Sequence, residues 1–125
     1  MTLSLDTHTF LWWLEDPQLL SKAARKAIGD GKSTVYVSAA VVWEIAIKRA
    51  LGKLEAPDDL EAAMAANRFL PLPVTIPHAL AVATLPPHHR DPFDRLLIAQ
   101  ASHEGFKFVS RDGYVARYGV PHLIA

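Results

Sequence analysis

The sequence predicts an α/β fold, one domain built on a mostly parallel sheet with helices on both faces. Short strand-like runs alternate with helical stretches, the order that yields crossover connections and parallel strands. Half of the 125 residues are hydrophobic (50%), enough for the core of one ordinary domain. No internal repeat, low-complexity tract or linker divides residues 1–125.

Each element has a local reason. Thr2 to Leu5 reads as a strand, with Leu3 and Leu5 alternating against Thr2 and Ser4. Asp6 follows at once, and Thr9 to Leu14 begins a helix that Pro17 breaks. Ser21 suits the N-cap of a helix through Ile28, closed by Gly29-Asp30-Gly31. Thr34 to Val37 is β-branched and aromatic, a second strand ending at Ser38. Ala39 to Leu51 is the clearest helix and Gly52 ends it. Val41, Val42, Trp43, Ile45, Ile47 and Leu51 cover most of its circumference, which predicts burial nearly all round. Pro57 and Asp58 start a helix to about Arg68. Phe69 to Thr75 can be only an edge strand, because Pro71 and Pro73 lack ladder donors. Pro77 opens a helix to about Thr84, and Leu85 to Arg90 is a loop whose His88 and His89 suit solvent. Asp91 is a helix N-cap, Pro92 fits the first helical position, and the helix runs through Leu96, Leu97, Ile98, Ala99 and Ala101 to near Gly105. Lys107 to Val109, a short helix through Tyr118 and a strand at His122 to Ile124 complete the chain.

Composition excludes several classes. Without cysteine there is no disulfide scaffold and no thiolate zinc site, which fits a cytoplasmic location. Met1 leads directly into Leu3 and Leu5 without a basic region and long apolar stretch, so no signal peptide is expected. No apolar run approaches the roughly 18 residues of a membrane span. Thirteen basic and 13 acidic residues cancel, so a nucleic-acid partner would need a local basic patch.

The chemistry lies in acids that the fold could gather. Ligands of open parallel sheets sit beyond the carboxyl ends of the strands. Asp6 directly follows the first strand, Asp112 follows a later one by a short turn, and Asp94 occupies the first turn of a core helix. Glu44 lies two turns into an apolar helix, where an unpaired carboxylate would be costly. Two carboxylates ~4 Å apart repel by about 4 kcal/mol at an effective dielectric near 20. A hard divalent cation, Mg²⁺ or Mn²⁺, would offset that repulsion, and such a site can lower the pKa of a water and stabilise a phosphoryl oxyanion. The reaction class indicated is metal-assisted phosphodiester hydrolysis. Each acid also has a plainer use: Asp6, Asp91, Asp94 and Asp112 could be helix caps, and Glu44 could pair with Lys48 at i+4. The joint placement is what argues for a site. Around it, Ser110, Ser38 and His8 are candidates for supporting hydrogen bonds, and Arg95, Arg111, Arg90 and Lys48 for phosphate contacts. Trp12, Trp13 and Trp43 could stack bases, though core packing suits at least two of them.

At these residues the chain resembles the PIN-domain family, specifically the VapC-type toxin ribonucleases of prokaryotic toxin–antitoxin pairs. The similarity rests on Leu5-Asp6-Thr7-His8 with Leu11-Trp12, on Ser38 followed by Trp43-Glu44-Ile45-Ala46, on Asp91-Pro92-Phe93-Asp94-Arg95 with Leu97-Ile98-Ala99-Gln100-Ala101, and on Val109-Ser110-Arg111-Asp112. It implies a three-layer α/β/α sandwich and an acidic quartet, Asp6, Glu44, Asp94 and Asp112, that binds Mg²⁺ or Mn²⁺ and cuts RNA. Ser110 matches the family's small hydroxyl position, and the role of Asp91 stays open. The resemblance also implies a homodimer and a small antitoxin laid into the acidic groove, for which apolar surface including Trp12 or Trp13 would suit. Two other readings remain at this point. One is a different Mg²⁺-dependent phosphohydrolase with Asp6 as nucleophile, although such enzymes usually carry a second Asp where His8 stands. The other is a non-catalytic RNA- or protein-binding module.

Overall fold

The structure is a computed structural model that describes residues 1–87 and 91–125. The readings made for His88, His89 and Arg90 lie outside the described residues. The strands are β1 (Thr2–Leu5), β2 (Thr34–Ser38), β3 (Leu70–Leu72), β4 (Lys107–Ser110) and β5 (His122–Ile124). They form one sheet in the order β3-β2-β1-β4-β5, every pairing parallel. The helices are α1 (Thr7–Glu15), α2 (Lys22–Gly29), α3 (Ala39–Ala50), α4 (Leu60–Ala66), α5 (Ile76–Ala81) and α6 (Pro92–Glu104). This is the α/β/α arrangement expected.

The sheet order carries the functional geometry. The chain lays β1, β2 and β3 outward in one direction, then returns to place β4 on the other side of β1. The strand order therefore reverses between β1 and β4. A crevice opens at such a switch point beyond the carboxyl ends of the strands. Asp6 and Ser110 sit there, one following β1 and the other ending β4.

Central strands are covered on both faces, and the residues show it. In β1, Leu3, Ser4 and Leu5 are all buried. Ser4 therefore points into the second layer and not to solvent, as a parallel strand with helices on each side requires. Val35, Val37, Phe108 and Val109 continue the core, closed by Phe10, Val41, Ile45, Leu97 and Ile98 from the helices.

Three expectations need correction. The face of α3 is not buried all round: Ala40, Val41, Glu44 and Ile45 face inward, whereas Trp43 (60% exposed), Ile47 (37%) and Leu51 (63%) form an outward apolar stripe at i, i+4 and i+8. Apolar composition records what a helix can bury, not how many neighbours the monomer supplies. Second, α4 starts at Leu60 instead of Pro57 or Asp58. Arg49 ion-pairs with Asp58 and donates to the Pro57 carbonyl (3.1 Å), tying that segment to the end of α3. Asp59 becomes the N-cap, accepting from the Ala62 amide at 3.0 Å. Third, the short helix before Tyr118 is a 3-10 turn, Val115–Tyr118.

Elsewhere the local signals hold. Asp91 accepts from the Phe93 amide at 2.9 Å with Pro92 opening α6, and Gly105 ends that helix in the left-handed region at φ 72°. β3 is an edge strand paired with β2. Beneath it runs a buried polar chain. The Ser38 hydroxyl donates to Gln100 Oε1 (2.6 Å), and Gln100 Nε2 donates to the Pro73 carbonyl (3.2 Å). Gln100 thereby joins β2, α6 and the segment after β3. Replacing it by leucine, of similar volume, leaves the buried Ser38 donor and Pro73 acceptor unmatched. Gln100→Leu is expected to lower stability by about 1–3 kcal/mol per orphaned group, read as a drop in the urea midpoint at unchanged slope.

Candidate active site

Asp6 is fixed by the strand it leaves and the helix it caps. Its amide donates to the Val109 carbonyl at 3.2 Å, extending the β1–β4 ladder by one bond. Its Oδ1 accepts from the Thr9 amide (2.9 Å), so the cap role foreseen for Asp6 is real. Its Oδ2 accepts from the Ser110 hydroxyl at 2.6 Å. That hydroxyl in turn accepts from the Asp112 amide at 3.0 Å. Ser110 thus sets the spacing between the acid after β1 and the acid after β4. Asp112 also accepts from the Tyr114 amide (2.9 Å), which orders the turn that carries it.

Glu44 comes from a different element. It faces inward from α3 and is 4% exposed. Its Oε1 accepts from the Thr7 hydroxyl at 2.6 Å, and its Oε2 accepts from the Lys48 ammonium at 2.6 Å. The i+4 pairing with Lys48 exists, but it is made by a buried carboxylate and a half-buried ammonium, not by two surface side chains. Thr7 was not singled out from the sequence. Its position beside Asp6 in Leu5-Asp6-Thr7-His8 was the available signal.

Asp94 is half-buried on the first turn of α6, which packs against α3. The electrostatics connect the two helices. Lys48 is held above its ordinary value of 10.5, first by the hydrogen bond to Glu44. Burial opposes the rise, while the charges of Glu44, Asp91 and Asp94 add to it. The Lys48 ammonium therefore sits in the field of carboxylates from both α3 and α6. Asp6, Ser110 and Asp112 are linked on one side, Thr7, Glu44 and Lys48 on the other, and adjacent residues Asp6 and Thr7 join the two.

The remaining candidates are placed elsewhere or are engaged. Ser38 caps α3, accepting from the Ala40 amide (3.0 Å) and donating to Gln100. His8 is exposed, its ring 5.7 Å from that of Trp12. Arg95 donates to the carbonyls of Pro86 (2.8 Å), Val82 (3.1 Å) and Leu85 (3.3 Å). Arg111 donates to the carbonyls of Ala125 (3.0 Å) and Leu19 and lies 4.4 Å over the Trp12 ring. Both guanidinium groups are thus used to hold chain segments together in this structure. Trp13 donates to Asn67 (2.9 Å) and packs against Phe69, while Trp43 makes an edge contact with Phe93. A cavity of about 510 Å³ is lined by Val37, Val42, Met64, Phe69 and Leu72. It holds none of the four acids, and its apolar walls offer nothing to a phosphate.

Comparison with known proteins accounts for this arrangement. The PIN-domain family profile matches residues 3–121. The chain belongs to the PIN-domain family. It is 31% identical over 115 residues to Ribonuclease VapC22 of Mycobacterium tuberculosis, covering 89% of this chain and 87% of that protein. Two solved structures share the fold at low identity. VapBC2 from Rickettsia felis, bound to a promoter DNA fragment, superposes with a TM-score of 0.74 at 13% identity, over 99% of this chain and 98% of that one. DNA-bound VapBC from Salmonella typhimurium gives 0.71 at 15% identity, over 99% and 98%.

Membership in the PIN-domain family implies a divalent metal, and the donors at the sheet edge suit one. They are carboxylate oxygens with a nearby hydroxyl, the hard set that Mg²⁺ or Mn²⁺ prefers. A positive group, the Lys48 ammonium, already lies among them. Among the described residues, a different trio has potential ligand atoms within 4.8 Å of one another: His78, His103 and Glu104. Its hydrogen bonding argues against a metal. His78 Nδ1 accepts from the Thr75 amide (3.1 Å) and faces Gln100 Nε2 (3.3 Å). The proton must then be on Nε2, which donates to Glu104 at 2.8 Å. A ligating histidine needs the reverse, a free lone pair on one nitrogen and a donor on the other. The trio reads as a buried anchor for α5.

The Thr7 contact yields a direct test. Thr7→Val keeps the shape but strands the buried Glu44 Oε1. It is expected to cost about 1–3 kcal/mol in denaturant unfolding, and Thr7→Ser, which restores a hydroxyl, should recover most of it.

Proposed function

We propose that this chain is a metal-dependent endoribonuclease, the toxin of a type II toxin–antitoxin pair, acting in the cytoplasm. What supports the reading is a PIN domain in which Ser110 links Asp6 to Asp112 at the β1–β4 switch point and Thr7, next to Asp6, bonds the buried Glu44. The relative named Ribonuclease VapC22 and the VapBC neighbours support it in kind. The sequence carries all four acids of the expected quartet, which favours a catalytic reading over a non-catalytic module.

Asp6, Asp94 and Glu44 would hold the cation, Mg²⁺ or Mn²⁺. Asp112 would hold a second cation or orient the attacking water. When bound, the metal supplies Lewis-acid stabilisation of a phosphoryl oxygen and a lowered water pKa. The chain's own residues do the positioning. Ser110 and the Thr9 amide fix both oxygens of Asp6. Thr7 fixes Glu44. Asp94 stands in the first turn of α6, the positive end of that helix. Water displaces the ribose 3′ oxygen, leaving a 5′ phosphate and a 3′ hydroxyl. The partners are RNA, a small antitoxin and a second copy of the chain, and the outward stripe Trp43, Ile47 and Leu51 is apolar surface of the kind a protein partner covers.

Asp94→Asn is expected to keep the fold and lower RNA cleavage at least about a hundredfold, the scale for losing one electrostatic stabiliser. Cleavage of a labelled RNA, with circular dichroism as control, checks this. A chelator should stop the wild-type reaction and Mg²⁺ or Mn²⁺ restore it. Full activity in Asp94→Asn would refute the assignment.

A further inference from the structure

We propose that Lys48 is a tethered counter-ion of the acidic cluster, one that competes with the divalent cation for Glu44 and the carboxylates of α6. The inference rests on the metal-dependent reading above and adds a residue that sets how tightly the ion is held.

The geometry begins with the spacing. Lys48 stands one helical turn beyond Glu44, so both side chains project from one face of α3. The ammonium lies 2.6 Å from Glu44 Oε2, and Thr7 takes the other oxygen at 2.6 Å. Every oxygen of this buried carboxylate is therefore in use. A cation seeking Oε2 meets the ammonium already in contact with it.

This pair differs from a surface ion pair. Its carboxylate side chain is 6% exposed and its ammonium side chain 38% exposed, so the lysine closes the open side of a buried acid. The second helix packs against α3 and carries two more carboxylates, Asp91 and Asp94, at its start. Neighbouring cations are committed elsewhere. Arg49 holds Pro57 and Asp58, Arg95 holds Val82, Leu85 and Pro86, and Arg111 holds Leu19 and Ala125. Among the described residues named as possible phosphate contacts, Lys48 is the one the structure places on the acids.

The consequence follows from charge. Clustered carboxylates repel unless something positive lies between them. Lys48 supplies one positive charge at no cost in association, because it is covalently attached. A divalent ion supplies two. The ion must weaken or turn away the ammonium, and that competition lowers its affinity.

The test measures binding without RNA. The full chain is titrated with Mn²⁺, followed by the electron paramagnetic resonance of the free ion, and its melting temperature is recorded with and without Mn²⁺. Lys48→Met keeps the length of the side chain and removes the charge. It should bind Mn²⁺ on the order of tenfold more tightly than wild type. Its ion-free melting temperature should fall and the rise on adding Mn²⁺ should grow. Lys48→Arg keeps the charge and should stay near wild type, and Lys48→Gln serves as a second neutral variant should Lys48→Met not fold. Unchanged or weaker Mn²⁺ binding in a folded neutral variant would overturn the competition while leaving the metal reading intact. A wild-type protein that takes up no Mn²⁺, or an Asp94→Asn protein that takes it up equally well, would overturn that reading and the competition with it.

Discussion

Like charges brought together in a half-dry crevice must be compensated, and much of this structure is arranged around that requirement. Asp6 is held by an amide and a hydroxyl, Glu44 by a hydroxyl and an ammonium. Hydrogen bonds to ionised groups are stronger than neutral ones, and their donors here come from three elements: Thr7 and Thr9 on α1, Ser110 at the end of β4, and Lys48 on α3. The acids are thereby fixed in direction.

The sheet makes that compensation possible. A carboxylate at a strand end can meet one from a non-neighbouring stretch of sequence only where the strand order reverses, and here the reversal falls between β1 and β4. Two helices add the rest. The first turn of α6 carries Asp91 and Asp94, and α3 packs against α6 so that their charges act on Lys48. The polar chain Ser38–Gln100–Pro73 runs beneath, joining α3's cap to α6. The core and the site share their supports, so a substitution such as one at Gln100 bears on the crevice through packing.

Outside the crevice the protein leaves apolar surface uncovered. Trp43, Ile47 and, at the C-cap, Leu51 form an exposed apolar stripe on α3. One helix thus packs the core through Val41 and Ile45, buries the Glu44–Lys48 pair, and leaves an apolar stripe open. The arginines are likewise divided from the site. Arg95 ties α6 to the carbonyls of the preceding segment, and Arg111 joins the carbonyls of Leu19 and Ala125.

Local chemistry determined a good deal by itself. The strand and helix alternation, the Asp91-Pro92 helix start and the proline-limited edge strand were all readable, because they depend on residue propensities, capping and spacing within a few positions. The strand order brought Asp6 and Asp112 together through Ser110, which no local signal supplies. Thr7's hold on Glu44, the paired use of Ser110, the engagement of Arg95 and Arg111 and the exposed side of α3 were decided only by tertiary structure. Each of these depends on what lies across a contact between distant segments. A side chain's partners follow from the packing of neighbouring elements, and its own sequence context records only what it is able to bind.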